Sequence, residues 1–445
     1  MYHRLLGLGL EIAGTFGSFW QRVEELKRLQ WLPSQRLEER QLAKLKSLLN
    51  HAYANVPIYR KKFREAEILP EEIRTAQDFA RIPIVTKEEL RTAFPDQVTA
   101  RTISFQRYAT GFTSGSTSTP FQFYSDIASN DERRASLWLF NSWFGYMPGE
   151  KRLYIGNIKK KPPLARLRDR IARNYEIHVA DIPYEKIARV LTRIDKIRPS
   201  HLEGFPSSLA LLARSMLEEG LETRSKLSAV ISVSERLLKS QRDYIESAFR
   251  CPVIDRYGLC ELGGIVSQQC QRDSGFHTNT ELCLLEVVDE SGKPCRPGRE
   301  GRLVVTDLHN FVMPFIRYYS GDLGTSGGMC ACGRGFPTVD KICGRELEFV
   351  RKRGGEKISL APYIEGMYKY APYVMQFQFE QKTNGKLVII VVPGPKFSKA
   401  VESAIVADLG GITEDLIVEC DQSSQIDLEV SGKRLFLKRK AQLAN

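Results

Sequence analysis

The sequence predicts an α/β protein: a large N-terminal α/β domain built on several sheets, followed by a small, mobile α+β C-terminal domain. Two observations predict this. Short β-rich runs alternate with helical stretches through the first three quarters of the chain, and after "ICGRELEFVRKRGGEK", Ile342 to Lys357, the order changes to helix, strand, strand, helix, strand. A length of 445 residues also exceeds what one small core organises. The boundary is placed near Gly344, giving a domain over 1–343 and a smaller one over 344–445.

Taken in order, residues 1–35 hold an apolar stretch, Leu5 to Trp20, interrupted by Glu11. A spanning helix wants about 20 apolar residues, so this segment is expected to pack on the body as an amphipathic element, with a membrane-surface helix as the alternative. Leu37 to Phe63 places Leu42, Leu45, Leu48, Leu49, Ala52 and Tyr53 at three- and four-residue steps, which predicts a helix stopped near "NVP". Thr86 precedes Glu88 and Glu89 as a helix N-cap. "KRLYIGNI", "LSAVISVS", "CPVIDRYGL", "CLLEVVD" and "GRLVVTDL" read as strands. Helices are expected over Glu185 to Ile197, Ser207 to Glu219 and Ser234 to Phe249, and an antiparallel pair around "DESGKPCRPGREG".

Composition is ordinary for a globular chain, 42% hydrophobic and 27% charged, which argues against disorder. The net charge of +12 favours anionic partners, among them nucleotides, polyanions and an acidic membrane face, without choosing between them. The densest cationic run, Ile158 to Asn174, reads as a solvated face or as a contact for an acidic acceptor. All nine Cys fall at or beyond Cys251, and 250–343 forms a Cys-rich β subregion. Secreted disulfide scaffolds do not distribute Cys in this way, so a reducing cytoplasm is expected.

The stretch "TGFTSGSTSTP" from Thr110 contains seven Ser or Thr and two Gly. Thr113, Ser114, Gly115, Ser116, Thr117, Ser118 and Thr119 supply hydroxyls and a free backbone suited to polyphosphate. The ending of a Walker loop is absent, and a linker has the same composition. Three later features change the weighting: Glu261 four residues past Tyr257 in "RYGLCELGG", Asp322 in "PFIRYYSGDLG", and "GRELEF" opening the second domain. A hydroxyl loop, an aromatic for a base, a carboxylate for a divalent metal and another for ribose together suit an adenine nucleotide.

At these residues the chain resembles the adenylate-forming superfamily, in its phenylacetate–CoA ligase-like branch, which includes capsule-biosynthesis proteins. The resemblance runs from "LLNHAYANVPIYRKKF" and "IPIVTKEELR" through "TSGSTSTP", "EGFPSSLALLA", "ISVSERL", "DRYGLCE", "MPFIRYYSGDLG" and "ICGR" to "SGKRLFLKRK". It implies that Thr113 to Thr119 hold the ATP phosphates, that Tyr257 and Gly258 border adenine, that Glu261 coordinates Mg²⁺ and that Asp322 binds ribose. It implies a hinge role for Arg345 and insertion of Lys433 from the small domain during adenylation. The chain departs from the family pattern at Ser118, usually Gly, at Cys260, usually Thr or Ser, and at Glu346-Leu347-Glu348 after the hinge Arg.

The activity so implied is ATP-dependent adenylation of a carboxylic acid, with AMP-linked acyl then passed to coenzyme A. Alternatives are transfer to an amine or hydroxyl, or a non-catalytic nucleotide-binding partner in polysaccharide assembly. The expected partners are the acid and ATP, with no nucleic acid; a peripheral contact with membrane or polysaccharide machinery stays open. "EGFPSSL" and "ISVSERL" resemble segments lining the cleft, while Trp138 to Tyr146 reads as pocket wall or core and Arg317 as a cleft residue of open role. Cys270, His277, Cys330 and Cys332 read either as a tetrahedral Zn²⁺ shell or as buried small residues; matching segments in the branch favour a structural zinc. The other Cys read as packing residues.

Overall fold

The computed structural model describes residues 18–101, 108–113, 121–147, 149–156, 158, 161–178, 187–272, 275–345, 349–426 and 436–439. It forms two compact units: Met1–Arg236 with Ile245–Cys343, and Leu237–Tyr244 with Gly344–Asn445.

Helices α1 (Ser18–Leu29), α2 (Ser34–Asn55), α3 (Pro57–Glu65), α4 (Ala76–Ala80) and α5 (Lys87–Ala93) open the first unit. The helix expected over Leu37 to Phe63 is two helices. Val56 takes extended angles, φ −117° and ψ 112°, because a following proline disfavours α-angles, and Pro57 then starts α3 at a position needing no N–H. α5 begins at the expected Thr86, whose hydroxyl accepts from the Glu89 N–H while the Glu89 carboxylate accepts from the Thr86 N–H. In α1, Phe19, Val23, Leu26 and Leu29 are buried, so the described end of the N-terminal segment packs on the body; Leu5 to Gly17 lie outside the described residues. Among the described residues no helix is long and apolar enough to cross a membrane.

β1 (Tyr108–Phe112) and β2 (Gln122–Asp126) make an antiparallel hairpin. α6 (Asn130–Ser142), β3 (Arg152–Gly156), α7 (Pro163–Ile171), β4 (Asn174–His178), α8 (Ile187–Ile197), β5 (His201–Gly204), α9 (Pro206–Glu218), β6 (Ala229–Val233), α10 (Lys239–Phe249) and β7 (Val253–Tyr257) then alternate. The short strands β8 (Ser267–Gln269), β9 (Phe276–Thr278), β10 (Cys283–Val288), β11 (Glu300–Asp307), β12 (Tyr318–Ser326) and β13 (Thr338–Arg345) follow. α10 starts five residues later than expected, and the strands read from "KRLYIGNI", "LSAVISVS", "CPVIDRYGL", "CLLEVVD" and "GRLVVTDL" are β3, β6, β7, β10 and β11.

One 11-stranded sheet runs β10-β11-β12-β13-β9-β8-β7-β6-β5-β3-β4. Its β4-β3-β5-β6-β7 end is parallel, as helical crossovers require. From β7 onward the described pairings are antiparallel. β12 stands four places from β7 in this order, yet the Tyr257 hydroxyl of β7 reaches Asp322 of β12 at 2.7 Å. The antiparallel part therefore curls until β12 faces β7. A core of Leu48, Leu49, Tyr59, Phe63, Phe121, Phe123, Phe315 and Tyr318 fastens α2, α3 and the hairpin beside this curl.

In the second unit, β14 (Phe349–Arg351) pairs with β15 (Lys357–Ser359). α11 (Ala361–Tyr368) and α12 (Lys399–Gly410) accompany a four-stranded sheet, β18-β17-β16-β19, of β16 (Val374–Thr383), β17 (Lys386–Pro393), β18 (Ile417–Gln422) and β19 (Leu437–Arg439). Tyr363, Phe379, Ile389, Ile405 and Leu409 form its core.

Candidate active site

The hydroxyl-rich loop connects β1 and β2, and its base is described. Thr113 is buried, its N–H donates to the Phe121 carbonyl at 2.9 Å, and its hydroxyl accepts from the Phe121 N–H at 3.3 Å. Ser114 to Thr119, including Ser118, lie outside the described residues. The strands of the hairpin pack against the one-turn 3₁₀ helix Cys260–Leu262, which carries Glu261.

That turn follows β7 directly. A Cβ on Gly258 would stand 2.1 Å from the Gly264 carbonyl oxygen, so only glycine lets the chain fold back this tightly. The turn leaves Cys260 exposed and Glu261 buried. The Glu261 carboxylate accepts one hydrogen bond, from the Tyr318 hydroxyl at 2.9 Å, and has no cation beside it among the described residues. A carboxylate has roughly four acceptor positions, so Glu261 keeps the capacity to hold a cation. The donor set therefore fits the hard oxygen ligation that Mg²⁺ takes.

Tyr257 and Asp322, far apart in sequence, meet through the 2.7 Å hydroxyl–carboxylate bond. Burial first, and then the Asp322 charge, pushes the Tyr257 phenol well above its ordinary value, so the hydroxyl stays a donor. Asp322 Oδ2 is thereby aimed, and its own N–H donates to Ser320 Oγ at 3.1 Å. Tyr318 and Asp322 are four residues apart on β12, both buried, on either side of the left-handed Gly321. Sequence reading missed Tyr318.

Arg345 ends β13. Lys433 and Glu346 to Glu348 lie outside the described residues. One expectation changes and one open alternative is decided. Arg317 is not a cleft residue: it is 1% exposed, sits at φ +46°, donates to the Ile82 and Gly292 carbonyls at 2.7 and 2.6 Å, and pairs with Glu286 at 3.2 Å. Its fork ties three chain segments together. Of the aromatics over Trp138 to Tyr146, Trp138 packs on Trp20 and Tyr146, with ring centres 5.3 and 5.1 Å apart, and Phe140 is fully buried; these are core.

A second cluster gathers Cys270, His277, Cys330 and Cys332, whose ligand atoms all lie within 4.8 Å of one another. The Cys270 and Cys330 sulfurs are 3.6 Å apart, and Cys332 Sγ is 3.5 Å from His277 Nε2. Metal–sulfur bonds of about 2.3 Å at tetrahedral angles put sulfurs about 3.8 Å apart. His277 Nδ1 lies 3.2 Å from the Phe336 carbonyl. A carbonyl only accepts, so Nδ1 carries the proton and Nε2 presents its lone pair to the cluster. The residues fit a closed, four-ligand zinc.

No protein-family model matches the chain. It is 26% identical over 344 residues to the phenylacetate–coenzyme A ligase of Thermus thermophilus, covering 73% of this chain and 74% of that one. It is 23% identical over 304 residues to Protein CapK of Staphylococcus aureus, covering 67% and 65%. Among solved structures, 2-hydroxyisobutyryl-CoA ligase in its postadenylation state superposes with a TM-score of 0.77 at 19% identity, over 94% of this chain and 92% of that one. In sequence the chain is similar to phenylacetate–CoA ligases and in fold to an acyl-CoA ligase, which fits the adenylate-forming superfamily. The described structure carries Thr113, Tyr257, Gly258, Glu261 and Asp322 in the first unit, with Tyr257 bonded to Asp322 and the hairpin that holds Thr113 packed on the turn that holds Glu261.

Proposed function

We propose that the protein activates a carboxylic acid with ATP as an acyl-adenylate, releases pyrophosphate, and passes the acyl group to the thiol of coenzyme A. The observation that carries this is Glu261, a buried carboxylate with one phenolic donor, set beside the base of the hydroxyl loop and near the Tyr257–Asp322 pair. The sequence relatives include phenylacetate–coenzyme A ligases from Thermus thermophilus and Escherichia coli, which supports the thiol acceptor.

The chemistry joins two anions. An acid carboxylate oxygen attacks the α-phosphorus, the bond to the bridging oxygen breaks, and pyrophosphate leaves with that electron pair. Mg²⁺ bound at Glu261 would supply charge neutralisation for the phosphates. Loop N–H and hydroxyl groups over Thr113 to Thr119 would hold those phosphates, Asp322 would accept from the ribose hydroxyls, and the Lys433 ammonium would meet the developing negative charge. The thiol sulfur then attacks the acyl carbon, and AMP leaves. No protein nucleophile is needed. Arg345 is assigned to the hinge that lets the second unit serve both steps.

Carboxylate-dependent exchange of labelled pyrophosphate into ATP tests the first step, and added coenzyme A tests the second. Exchange with a suitable acid should fall about a hundredfold or more in Lys433→Ala. ATP binding without exchange across a broad acid panel would overturn the ligase reading and favour a nucleotide-binding assembly partner. Transfer to an amine or hydroxyl during polysaccharide decoration, with contacts to that machinery, rests on the likeness to Protein CapK.

Cys270, His277, Cys330 and Cys332 are assigned a structural Zn²⁺. Four protein ligands leave no open position, so its contribution is to folding. Protein purified without chelator should carry about one zinc per chain and melt lower after chelation; metal-free, equally stable protein would refute the assignment.

A further inference from the structure

The parallel part of the large sheet contains a topological switch. After β3 the chain lays β4 on one side, then returns to place β5, β6 and β7 successively on the other. In open α/β sheets, ligands bind at the carboxyl ends of the strands where the order reverses. Here that crevice lies between β3 and β5, in the same unit as Glu261.

Its walls are polar and charged. Tyr154 of β3 stands in register with Glu203 of β5, and Arg152, which opens β3 at its amino end, lies on the same face and reaches up to the Glu203 carboxylate. The Glu203 carboxylate is shared between Arg152 at 3.5 Å and Arg256 at 3.4 Å, both long for ion-paired hydrogen bonds. Arg256 has two further partners: Nε donates to Gln268 Oε1 at 2.7 Å and Nη2 donates to Asn141 Oδ1. Burial, only partly offset by Glu203, lowers its pKa to about 10, still cationic at neutral pH. Arg152 differs. Its side chain is 26% exposed, and the long contact to Glu203 is its one side-chain hydrogen bond among the described residues. The Tyr154 hydroxyl has no hydrogen-bond partner among the described residues, and a Cβ on Gly156 would stand 2.3 Å from it, so the ring lies along β3 toward the carboxyl end of that strand. Glu176 of neighbouring β4 is engaged by Lys161 at 2.6 Å.

We propose that this crevice receives the acyl chain and selects a hydroxylated carboxylic acid, of the hydroxy-acid or sugar-acid class, over alkyl, aryl and dicarboxylic acids. The inference rests on the adenylation reading and names its substrate. An alkyl or aryl chain would bury the spare donors of Arg152 and Tyr154 without partners, which is costly. A second carboxylate would sit against Glu203. A hydroxyl accepts from Arg152 or Tyr154 and donates to Glu203, so of these four kinds of chain only the hydroxylated one uses both kinds of group. Arg152 and Tyr154 are then specificity-determining residues, and Glu203, held by Arg256, is the acceptor.

The test uses the full chain with gluconate and glycerate as hydroxylated probes, hexanoate and adipate as carbon-matched alkyl and dicarboxylic probes, and phenylacetate as the aryl probe. Pyrophosphate exchange reads the reaction, and calorimetry of the acids with wild type and variants reads the crevice alone. A hydroxylated acid should bind at least tenfold tighter than hexanoate. Tyr154→Phe and Arg152→Met should each weaken that acid by roughly ten- to a hundredfold while leaving ATP affinity unchanged. Tyr154→Phe keeps the ring, so it carries the test if Arg152→Met does not fold. Preference for hexanoate, adipate or phenylacetate, or no binding difference between wild type and Tyr154→Phe, overturns the proposal. Binding of a hydroxylated acid without exchange would overturn the adenylation reading and leave the crevice assignment standing.

Discussion

Glu281 and Glu261 are both buried carboxylates in the first unit, 0% and 6% exposed, and the protein surrounds them in opposite ways. Glu281, between β9 and β10, is ringed by Arg22 at 2.9 Å, Arg40 at 2.7 Å and Lys44 at 2.9 Å. Two of those cations come from α2 and one from α1, so the carboxylate pins the N-terminal helices to the sheet. Glu261 has one neutral donor, the Tyr318 hydroxyl. Burial alone does not separate an architectural acid from a functional one; what separates them is whether the protein supplies the countercharge or leaves it to a ligand.

The largest expected effect breaks the architectural member. Glu281→Gln leaves three cations around a neutral amide and should cost about 3 kcal/mol of stability, read by denaturant unfolding. The loss is specific in pH. Burial raises the Glu281 pKa, but hydrogen bonds from Arg40, Lys44 and Arg22 and the Lys44 charge outweigh it and hold the carboxyl far below the carboxylate range. A depressed folded pKa contributes stability above the unfolded value, about 4.3, and that stability drains as pH falls below it. Wild type should therefore converge on the variant under acid conditions; a constant gap from pH 7 to pH 2 would show that the ring is not electrostatic.

Glu261→Gln should do the reverse. The neutral amide can still accept from Tyr318, so the melting temperature should stay within a few degrees while pyrophosphate exchange falls about a hundredfold or more. A variant that melts well below wild type yet exchanges normally would reverse the two roles.

The same contrast explains what was legible. Glu261 was readable because a strand, a tight Gly turn and an acid follow one another within "DRYGLCE", and the α5 cap because Thr86 and Glu89 are neighbours. Glu281 was not, since its cations lie 237 to 259 residues away, and only the docking of α1 and α2 brings them in. Arg256 was hidden for a related reason. It occupies a strand position that periodicity assigns to core, and the groups that make it tolerable, Asn141, Glu203 and Gln268, come from α6, β5 and β8. The Cys and His of the second cluster were legible as residue types, but their convergence depends on β9 reaching the loop before β13.

The smallest expected effect sharpens the functional member. Tyr318 is fully buried, its ring packed on Phe315 with centres 5.2 Å apart, and its hydroxyl is the one donor Glu261 has from the described protein. Tyr318→Phe keeps the ring and removes that donor. If the hydroxyl merely satisfies a buried acceptor, stability should fall by about 1 kcal/mol and the magnesium dependence of exchange should not move. If the hydroxyl positions the carboxylate for a cation, half-saturating magnesium should rise several-fold, with exchange at saturating magnesium retained. The second outcome is expected, because a bound cation would itself satisfy the carboxylate and leave orientation as what the phenol adds. An unchanged magnesium profile would reduce Tyr318 to packing and place the whole of the cation's grip on Glu261 and the ligand.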